Sequence, residues 1–378
     1  MKGTDPKERL SMLALTYVQG LGAALFRQML ETAGSASEIF ENLSSLPDIL
    51  PGASPQLKFL LSDPQAFKRA EEELEFAEAH SIDVLCYNDS DYPARLRECD
   101  DAPIVLYGKG NYNLNDRHIV SVIGTRKATA YGKNMCERFV KELSELMPGT
   151  LVVSGLAYGI DVCAHRTALA SSLPTVGVLA HGLDRIYPSL HRDTAKAMLR
   201  NGGLLTEFMS RTAPLPLNFV RRNRIVAGLS DATVVIESAA KGGSLITASI
   251  ARSYNRDCFA YPGKTTDSNS AGCNTLIAKN RAALITSAED FVEAMNWEPK
   301  ATSRKENPAQ LQLFADLSPE EELLVNYITP FSEGVQLNRM TVDTDIPVNR
   351  LMTILFELEM KGVVKAVAGG RYMLANKF

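Results

Sequence analysis

The 378-residue sequence lacks the features that would place it in a membrane or outside the cell. No apolar run approaches the roughly 20 residues needed to cross a bilayer, and Met1 is followed by polar residues instead of a signal-peptide core. The six cysteines are scattered, without a CxxC pair or a histidine at metal-ligand spacing. We interpret them as buried thiols, and we expect a cytoplasmic protein that binds no metal.

An excess of positive charge is also missing. Lysine and arginine total 40 against 44 aspartate and glutamate residues, which gives a net charge of −4. A protein that binds nucleic acid through its bulk charge is normally basic, so any such site here must be a local patch. The hydrophobic share of 45% and the charged share of 22% are typical of a folded chain, and the length predicts two or three domains.

Residues 1–80 carry apolar side chains at helix spacing, which predicts a helical domain. The junction Gln19-Gly20-Leu21-Gly22 resembles a helix-hairpin-helix turn, in which glycines allow close helix approach and backbone amides can bind a phosphate. A plain turn between two helices is the alternative.

Residues 81–298 alternate between strand and helix signals, which predicts a parallel sheet with helices on both faces. Continuous apolar runs such as Thr233–Ile236 are typical of strands that are buried on both sides. Two short β-like runs come first, near 84–87 and 104–107, and strands follow near 119–123, 151–153, 175–179, 203–206, 232–236 and 257–260. The predicted fold class is therefore α/β, with a doubly wound Rossmann-like domain at its centre.

The end of the chain is predicted to form a separate domain. Residues 299–316 begin with a polar, charged stretch between two prolines, which is typical of a linker. In residues 317–378 the predicted elements are a helix capped by Ser318 with Pro319 at its first position, a short helix from Leu337, a helix from Pro347 to Met360 and a hairpin around Gly369-Gly370. Three helices closed by a hairpin make a winged helix.

Loops that contain glycine follow three of the central strands. Ligands bind a doubly wound sheet at this carboxyl edge, where helix N-termini offer unpaired amides. The loops contain Gly124-Thr125-Arg126, then Gly155 with Asp161, and then Gly242-Gly243-Ser244-Leu245 with Thr247. We therefore expect these loops to form the ligand site.

The classical nucleotide and hydrolase motifs are missing from these loops. A dinucleotide fingerprint would need glycine at the positions of Arg126 and Thr129, and no P-loop motif occurs. A nucleophile elbow at Ser154 would need glycine where Val152 stands. These departures argue against NAD binding, P-loop ATP hydrolysis and serine-hydrolase chemistry.

Positive charge is concentrated at Arg221, Arg222 and Arg224, beside Phe219 and Asn223. In a helix, Arg221 and Arg224 would share a face, and Phe219 could stack on a base. Arg126 could hold a phosphate through two parallel hydrogen bonds. The alternatives are a solvated run of charge for the cluster and a structural carboxylate partner for Arg126.

The remaining polar residues near the predicted site give no catalytic assignment. His165 lies four residues after Asp161, and we interpret this pair as a loop anchor and not as an acid–base pair. The loop that contains His181, Asp184 and Tyr187 is chemically unspecific. We therefore expect no catalytic residue and no cofactor.

Taken together, the motifs resemble the bacterial DNA-processing protein A family (DprA, also called Smf). The resemblance covers essentially the whole chain and rests on GTR, SGLAYGIDVCAH, GLDRIYP, LLTEF, NFVRRNRIVAGLS, GGSLITASIA, YPGK and SAGCNTLIAKNRA. It implies a helix-hairpin-helix or SAM-like first domain, a Rossmann-like centre and a winged-helix end. It also implies a non-enzymatic protein that binds incoming single-stranded DNA in natural transformation, protects it and loads the recombinase RecA onto it.

By matching motifs, the resemblance places the phosphate-binding positions on Gly124, Thr125, Arg126, Arg222, Asn223, Arg224, Gly243, Ser244, Leu245 and Thr247. To these the predicted DNA-binding set adds Gly155, Phe219, Arg221, Gly242 and Lys264. Family members tend to dimerise through the central domain, so a homodimer is expected. One departure is that some members carry a basic residue after the Tyr187-Pro188 pair, where this chain has Ser189-Leu190 and only later Arg192.

Two other functions compete with this interpretation. A nucleotide phosphoribohydrolase of the lysine-decarboxylase-like group would use a PGGxGTxxE loop, but Lys241 precedes Gly242 here and the catalytic carboxylate is missing. A duplex-binding regulator would read DNA through the winged helix, but the stretch from Val348 to Lys361 offers only Arg350 and Lys361 as cations. A protein contact or an architectural role is expected for that domain.

Overall fold

A computed structural model describes residues 5–18, 21–45, 55–298, 317–331, 334–344, 346–367 and 370–375. Gln19 and Gly20 of the predicted helix junction, the predicted linker at 299–316 and Gly369 lie outside these residues. The chain divides into two compact units, Met1–Ala288 and Glu289–Phe378.

The first unit opens with a helical layer. The helices that the structure describes here are α1 (Pro6–Tyr17), α2 (Ala23–Ala33), α3 (Ala36–Glu41), α4 (Pro55–Leu61) and α5 (Pro64–Ala79). Asp5 and Asp63 cap α1 and α5, each followed by proline at the first helical position, where its missing N–H costs nothing. Buried side chains of this layer, such as Phe26 and Met29, share one core cluster with Tyr107 of the neighbouring sheet.

The sheet of the first unit has nine strands, namely β1 (Asp83–Cys86), β2 (Val105–Asn111), β3 (Ile119–Ile123), β4 (Leu151–Ser154), β5 (Thr175–Val178), β6 (Gly202–Thr206), β7 (Ala232–Val235), β8 (Asp257–Ala260) and β9 (Ala283–Leu284). Their order is β1-β2-β6-β5-β4-β3-β7-β8-β9. The pairs β1 with β2 and β2 with β6 are antiparallel, and every other neighbouring pair is parallel. The predicted large, mostly parallel sheet is confirmed.

The strands from β3 to β9 are connected by α7 (Ala130–Leu146), α8 (Ile160–Ala170), α9 (Arg192–Met198), α10 (Pro216–Gly228), α11 (Gly243–Ser253) and α12 (Ala271–Ala278). The short α6 (Ala94–Arg97) lies between the antiparallel β1 and β2, and α13 (Ala288–Ala294) follows β9. All residues of β3, β4, β5, β6 and β7 are buried. Apolar residues predominate in these strands because both faces of the sheet are covered, and the buried polar exceptions include Ser121, Ser154 and Thr175.

In the second unit, α14 (Pro319–Ile328) begins at a capping box in which Ser318 accepts from the Glu321 amide and Glu321 accepts from the Ser318 amide. The elements β10 (Val335–Gln336), α15 (Leu337–Thr344), α16 (Val348–Met360), β11 (Val364–Val367) and β12 (Arg371–Leu374) follow. The strands form an antiparallel sheet in the order β10-β12-β11. Leu324, Leu351 and Leu355 are fully buried in its core.

The cysteines are free thiols, as the scattered spacing predicts, and all are buried except Cys163, which is half-buried. Among the described residues, no helix combines the length and the apolar character that crossing a bilayer requires.

A close contact between β5 and β6 gives a first testable prediction. Gly202 has φ +123°, and a Cβ atom there would overlap the carbonyl oxygen of Thr175. We expect Gly202→Ala to lower the free energy of unfolding by about 3 kcal/mol or more, because backbone strain and a collision add together. Gly149 is the matched control, since its φ is +89° but nothing lies within 4 Å of its Cβ position. Gly149→Ala should cost about 1 kcal/mol. Equal costs in urea titrations followed by circular dichroism would contradict the close contact.

Buried His165 gives a second prediction. Its Nδ1 lies 2.7 Å from Thr175 Oγ1, and burial, with Arg222 and His191 nearby, lowers the pKa of His165 to about 3. Between pH 6.5 and about 3 the unfolded chain therefore binds a proton that the folded chain does not, so this group makes stability fall as the pH falls. We expect His165→Gln to reduce the slope of unfolding free energy against pH by up to about 1.4 kcal/mol per pH unit between pH 6 and 4.

The exposed His80 at the end of α5 is the control. His80→Gln measures the effect of removing an exposed imidazole, and a change of slope in His165→Gln no larger than in His80→Gln would show that the buried imidazole is not the titrating group.

Candidate functional site

The loops after β3, β4 and β7 meet at the carboxyl edge of the sheet. The Thr125 amide donates to the carbonyl of Glu237 at 2.8 Å, and the Ile160 amide donates to the carbonyl of Thr125 at 3.2 Å. Gly124 fits closely here, because a Cβ atom on it would lie 2.5 Å from Ile160 Cγ1. The three glycine loops predicted from the sequence are therefore neighbours in the fold.

Glu237, at the end of β7, positions the first of these loops. Its side chain is 1% exposed and accepts hydrogen bonds from the amide of Thr129 at 2.9 Å and from its hydroxyl at 2.5 Å. A Cβ atom on Gly132 would collide with this carboxylate. Glu237 was not among the site residues predicted from the sequence. A carboxylate that directly follows an apolar strand was the available signal.

The exposed Arg126 and the half-buried Phe219 form the outer part of the site. The Arg126 guanidinium carbon lies 5.0 Å from the centre of the Phe219 ring, a cation–π geometry. The ring of Tyr187 is 5.9 Å from that of Phe219, with an interplanar angle of 61°. The sequence analysis gave no role to Tyr187, which is 46% exposed and extends this aromatic surface.

Arg222 lies beneath that surface and is only 3% exposed. Its Nη1 donates to the carbonyl of Val178 at the end of β5, and its Nε is buried without a hydrogen-bond partner among the described residues. A Cβ atom on Gly155 would collide with this guanidinium. Burial lowers the pKa of Arg222 to about 10, Asp161 opposes that change and the Arg126 charge adds to it. Arg222 therefore remains charged at neutral pH.

Asp161 holds the loop after β4. Its Oδ2 accepts from the Gly155 amide at 3.2 Å, and burial raises its pKa while Arg222 opposes the rise. The interpretation of Asp161 as a loop anchor agrees with this contact. His165, its expected partner in the anchor, instead bonds to Thr175.

Helix α11 begins at the same edge of the sheet. Gly242 is its cap, where a Cβ atom would collide with Ser238 Oγ, whereas the Cβ position of Gly243 faces open space. The Ser244 hydroxyl bonds to Ser238 Oγ at 2.8 Å, and Ser244 and Thr247 are 7% and 4% exposed. The loop therefore presents its backbone, with the side chains of Ser244 and Thr247 turned inward. Leu245 packs against the core.

The predicted arginine cluster divides between two sets of contacts. Arg224 donates to the Glu207 carboxylate and to the carbonyl of Asp101. Arg221 lies 3.9 Å from the same carboxylate and 5.5 Å from the Phe208 ring centre. The predicted shared face of Arg221 and Arg224 is present, but these two residues contact a different set of groups from Arg126 and Arg222.

Asn223 and Lys264 are the remaining predicted positions. Asn223 is half-buried on α10. Lys264 is exposed in the loop after β8, where its carbonyl accepts from the Asp267 amide at 3.0 Å.

The known proteins that this chain resembles include DprA and Smf proteins. The sequence profile described as DNA recombination-mediator protein A matches residues 83–296. Protein Smf of Escherichia coli is 35% identical over 284 residues, which cover 74% of each chain. DNA processing protein DprA of Bacillus subtilis is 37% identical over 215 residues, or 57% of this chain and 71% of the relative.

Two solved structures are similar to this one. DNA processing protein A of Streptococcus pneumoniae has a TM-score of 0.64 at 30% identity, and the match covers 77% of this chain and 98% of that one. DNA processing protein A of Helicobacter pylori, whose structure was studied for its single-stranded DNA binding mode, has a TM-score of 0.51 at 29% identity and covers 57% and 95%. The chain therefore belongs to the DNA recombination-mediator protein A family, also called DprA or Smf, whose members process DNA in recombination.

Proposed function

We propose that this protein binds single-stranded DNA at the carboxyl edge of its parallel sheet. The observation that carries the proposal is the pairing of the exposed Arg126 guanidinium with the half-buried ring of Phe219, near a second, buried guanidinium at Arg222 whose pKa the Arg126 charge lowers. An aromatic face can stack on a base only if the base is free of its own stack, which favours a single strand. The two guanidiniums supply charge for the backbone phosphates.

The buried guanidinium supplies a fixed positive charge beneath the proposed phosphate site. Arg222 cannot move freely, because Gly155 packs on it and Val178 accepts from it. The first turn of α11 adds backbone amides that have no partner within the helix, and the open space at Gly243 allows a phosphate to approach them. We expect the bound DNA strand also to pass Thr125, Lys264 and Asn223.

The family supports a role in recombination beyond binding. We infer that the protein protects incoming single strands from nucleases, loads RecA onto them during natural transformation and acts in the cytoplasm as a homodimer. Helicobacter pylori DNA processing protein A, named above for its single-stranded DNA binding mode, is similar in fold. Catalysis is not part of the proposal, since Asp161 and Glu237 hold groups of the protein itself.

The flanking parts of the chain have supporting roles in this proposal. We infer that the first helices form a helix-hairpin-helix or SAM-like domain and that the second unit is a winged helix. The cations of its α16 region are engaged, since Arg350 pairs with Glu320 at 2.5 Å and Lys361 with Glu321 at 2.7 Å. A protein contact suits such a surface better than a duplex does.

Fluorescence anisotropy with labelled oligonucleotides tests the DNA site. We expect the wild type to prefer a single strand to the matching duplex by at least about tenfold. Arg126→Ala should weaken single-strand binding by about 10- to 100-fold, because a charge-assisted phosphate contact is lost. Its slope of log affinity against log salt should fall by about 0.7.

Arg138→Ala is the matched control, because this arginine is half-exposed on α7 and pairs with Glu142 at 2.6 Å. It should bind as the wild type does. Equal affinity for duplex, or full binding by Arg126→Ala across the salt series, would contradict the proposal.

Loading of RecA has a separate test. The protein should stimulate RecA-dependent ATP hydrolysis on single strands that are covered by a single-strand-binding protein. Arg126→Ala should lose most of this stimulation because it no longer holds the strand, whereas Arg138→Ala should keep it. Normal DNA binding without any stimulation would restrict the function to binding and protection.

A further inference from the structure

A cleft of about 410 Å³ lies within the first unit, beside the face of α10 that carries Arg221 and Arg224. Its walls are the end of α1, a part of α5, the segment 103–105 before and at the start of β2, the segment 207–212 after β6, and α10 itself. Four arginines and one glutamate line it, namely Arg69, Arg211, Arg221, Arg224 and Glu207. The cleft is thus rich in positive charge although the whole chain is negative.

Two of these arginines are fixed parts of the wall. Arg69 bonds to Glu73 at 2.7 Å and to the carbonyl of Ser210 at 2.7 Å. Arg224 bonds to Glu207 and to the carbonyl of Asp101, and its side chain is 13% exposed. Because these guanidiniums neutralise the two carboxylates, the cleft does not repel an anion.

The other two arginines are held loosely. Arg221 is 55% exposed, and 3.9 Å separates it from Glu207, too far for a hydrogen bond. Arg211 is 73% exposed, and its surface pair with Glu72 contributes little to stability. Both guanidiniums can therefore turn toward a ligand at small cost.

The backbone at Arg211 shows that its position is imposed. Its φ is +65°, a conformation that costs free energy for a residue other than glycine. The Arg211 amide donates to Asp184 Oδ1 at 2.9 Å, which holds the turn. The turn thus fixes the backbone of Arg211 beside the cleft, and its long cationic side chain extends from there.

An aromatic ring completes the cleft. Tyr17 lies at the end of α1, lines the cleft and is 45% exposed. A volume of about 410 Å³ falls in the range of small-ligand sites, roughly 300 to 1,000 Å³. Loosely held guanidiniums with an exposed ring are the groups that recognise a phosphate and a base.

Helix α10 connects this cleft to the proposed DNA site. On this helix, Phe219 and Arg222 lie near Arg126. Arg221 and Arg224 of the same helix line the cleft. A single DNA strand that continues from the Arg126 site across α10 would next reach Arg221. We propose that the cleft binds a further nucleotide of the same single strand, with its phosphate on Arg211 and Arg221 and its base on Tyr17. This inference rests on the proposed function.

The test compares short and long oligonucleotides, of about 4 and about 15 nucleotides, on the full chain. Arg211→Ala and Tyr17→Ala should each weaken binding of the long oligonucleotide by about tenfold and leave the short one unchanged, because the short one fills only the Arg126 site. Arg211→Lys should keep most of the affinity because it keeps the charge. Thermal unfolding checks that each variant is folded, and Arg138→Ala serves as the control.

Photocrosslinking locates the strand independently of affinity. A long oligonucleotide with a photoreactive thymine should crosslink to a peptide that contains Tyr17 or Arg211 when the thymine is at one end, and to the Phe219 peptide when it is nearer the middle. Crosslinks at Phe219 alone, together with unchanged affinity in the cleft variants, would overturn the inference.

The outcomes separate this inference from the proposed function. If Arg126→Ala abolishes binding and the cleft variants change nothing, the proposed function stands and the cleft assignment falls. If Arg126→Ala binds normally while the cleft variants weaken long strands, the proposed function fails instead. If deoxyadenosine monophosphate binds the wild type but not Arg211→Ala, and long strands bind both equally, the ligand is a free nucleotide and the assignment to the strand is overturned.

Discussion

The guanidinium of Arg222 lies inside the protein, and the strand ends around it are arranged to keep it there. A buried charge is costly unless it is balanced and hydrogen-bonded. Val178 accepts from it, Asp161 supplies a nearby negative charge and Gly155 leaves the space that a side chain would take. These contacts join α10 to the ends of β4 and β5, so the position of the half-buried Phe219 on the same helix depends on Arg222.

The same arrangement makes the proposed DNA binding compatible with a net charge of −4. Bulk attraction is not available, so affinity depends on a few aligned groups. Arg126 lies close enough to Arg222 for its charge to lower the pKa of Arg222. Glu237 fixes the loop that carries Arg126 through Thr129. In the proposed site, buried carboxylates thus position a few cations, whereas a basic surface would attract phosphates through its bulk charge.

The parts of the fold that depend on local pattern could be predicted from the sequence. Buried parallel strands are mostly apolar runs, so β1 to β8 and the glycine loops after the central strands were predicted, whereas the two-residue β9 was not. Contacts across the sheet could not be predicted, because they depend on strand order. Tyr187 and Glu237 are examples, since their partners, Phe219 and Thr129, are distant in sequence. The inward direction of Ser244 and Thr247 depends on the rotation of α11, which the motif alone does not give.

The order of the strands has a consequence for when the site exists. β3 pairs with β4 on one side and with β7 on the other, and the Thr125 amide reaches the carbonyl of Glu237 only after β7 has joined. During synthesis, β4, β5 and β6 emerge before β7, so a nascent chain has a partial sheet without a closed loop cluster. The loop cluster of the proposed DNA site therefore closes late, when nearly the whole sheet is complete, and an unfinished chain lacks the hydrogen bond between Thr125 and Glu237 that joins its loops.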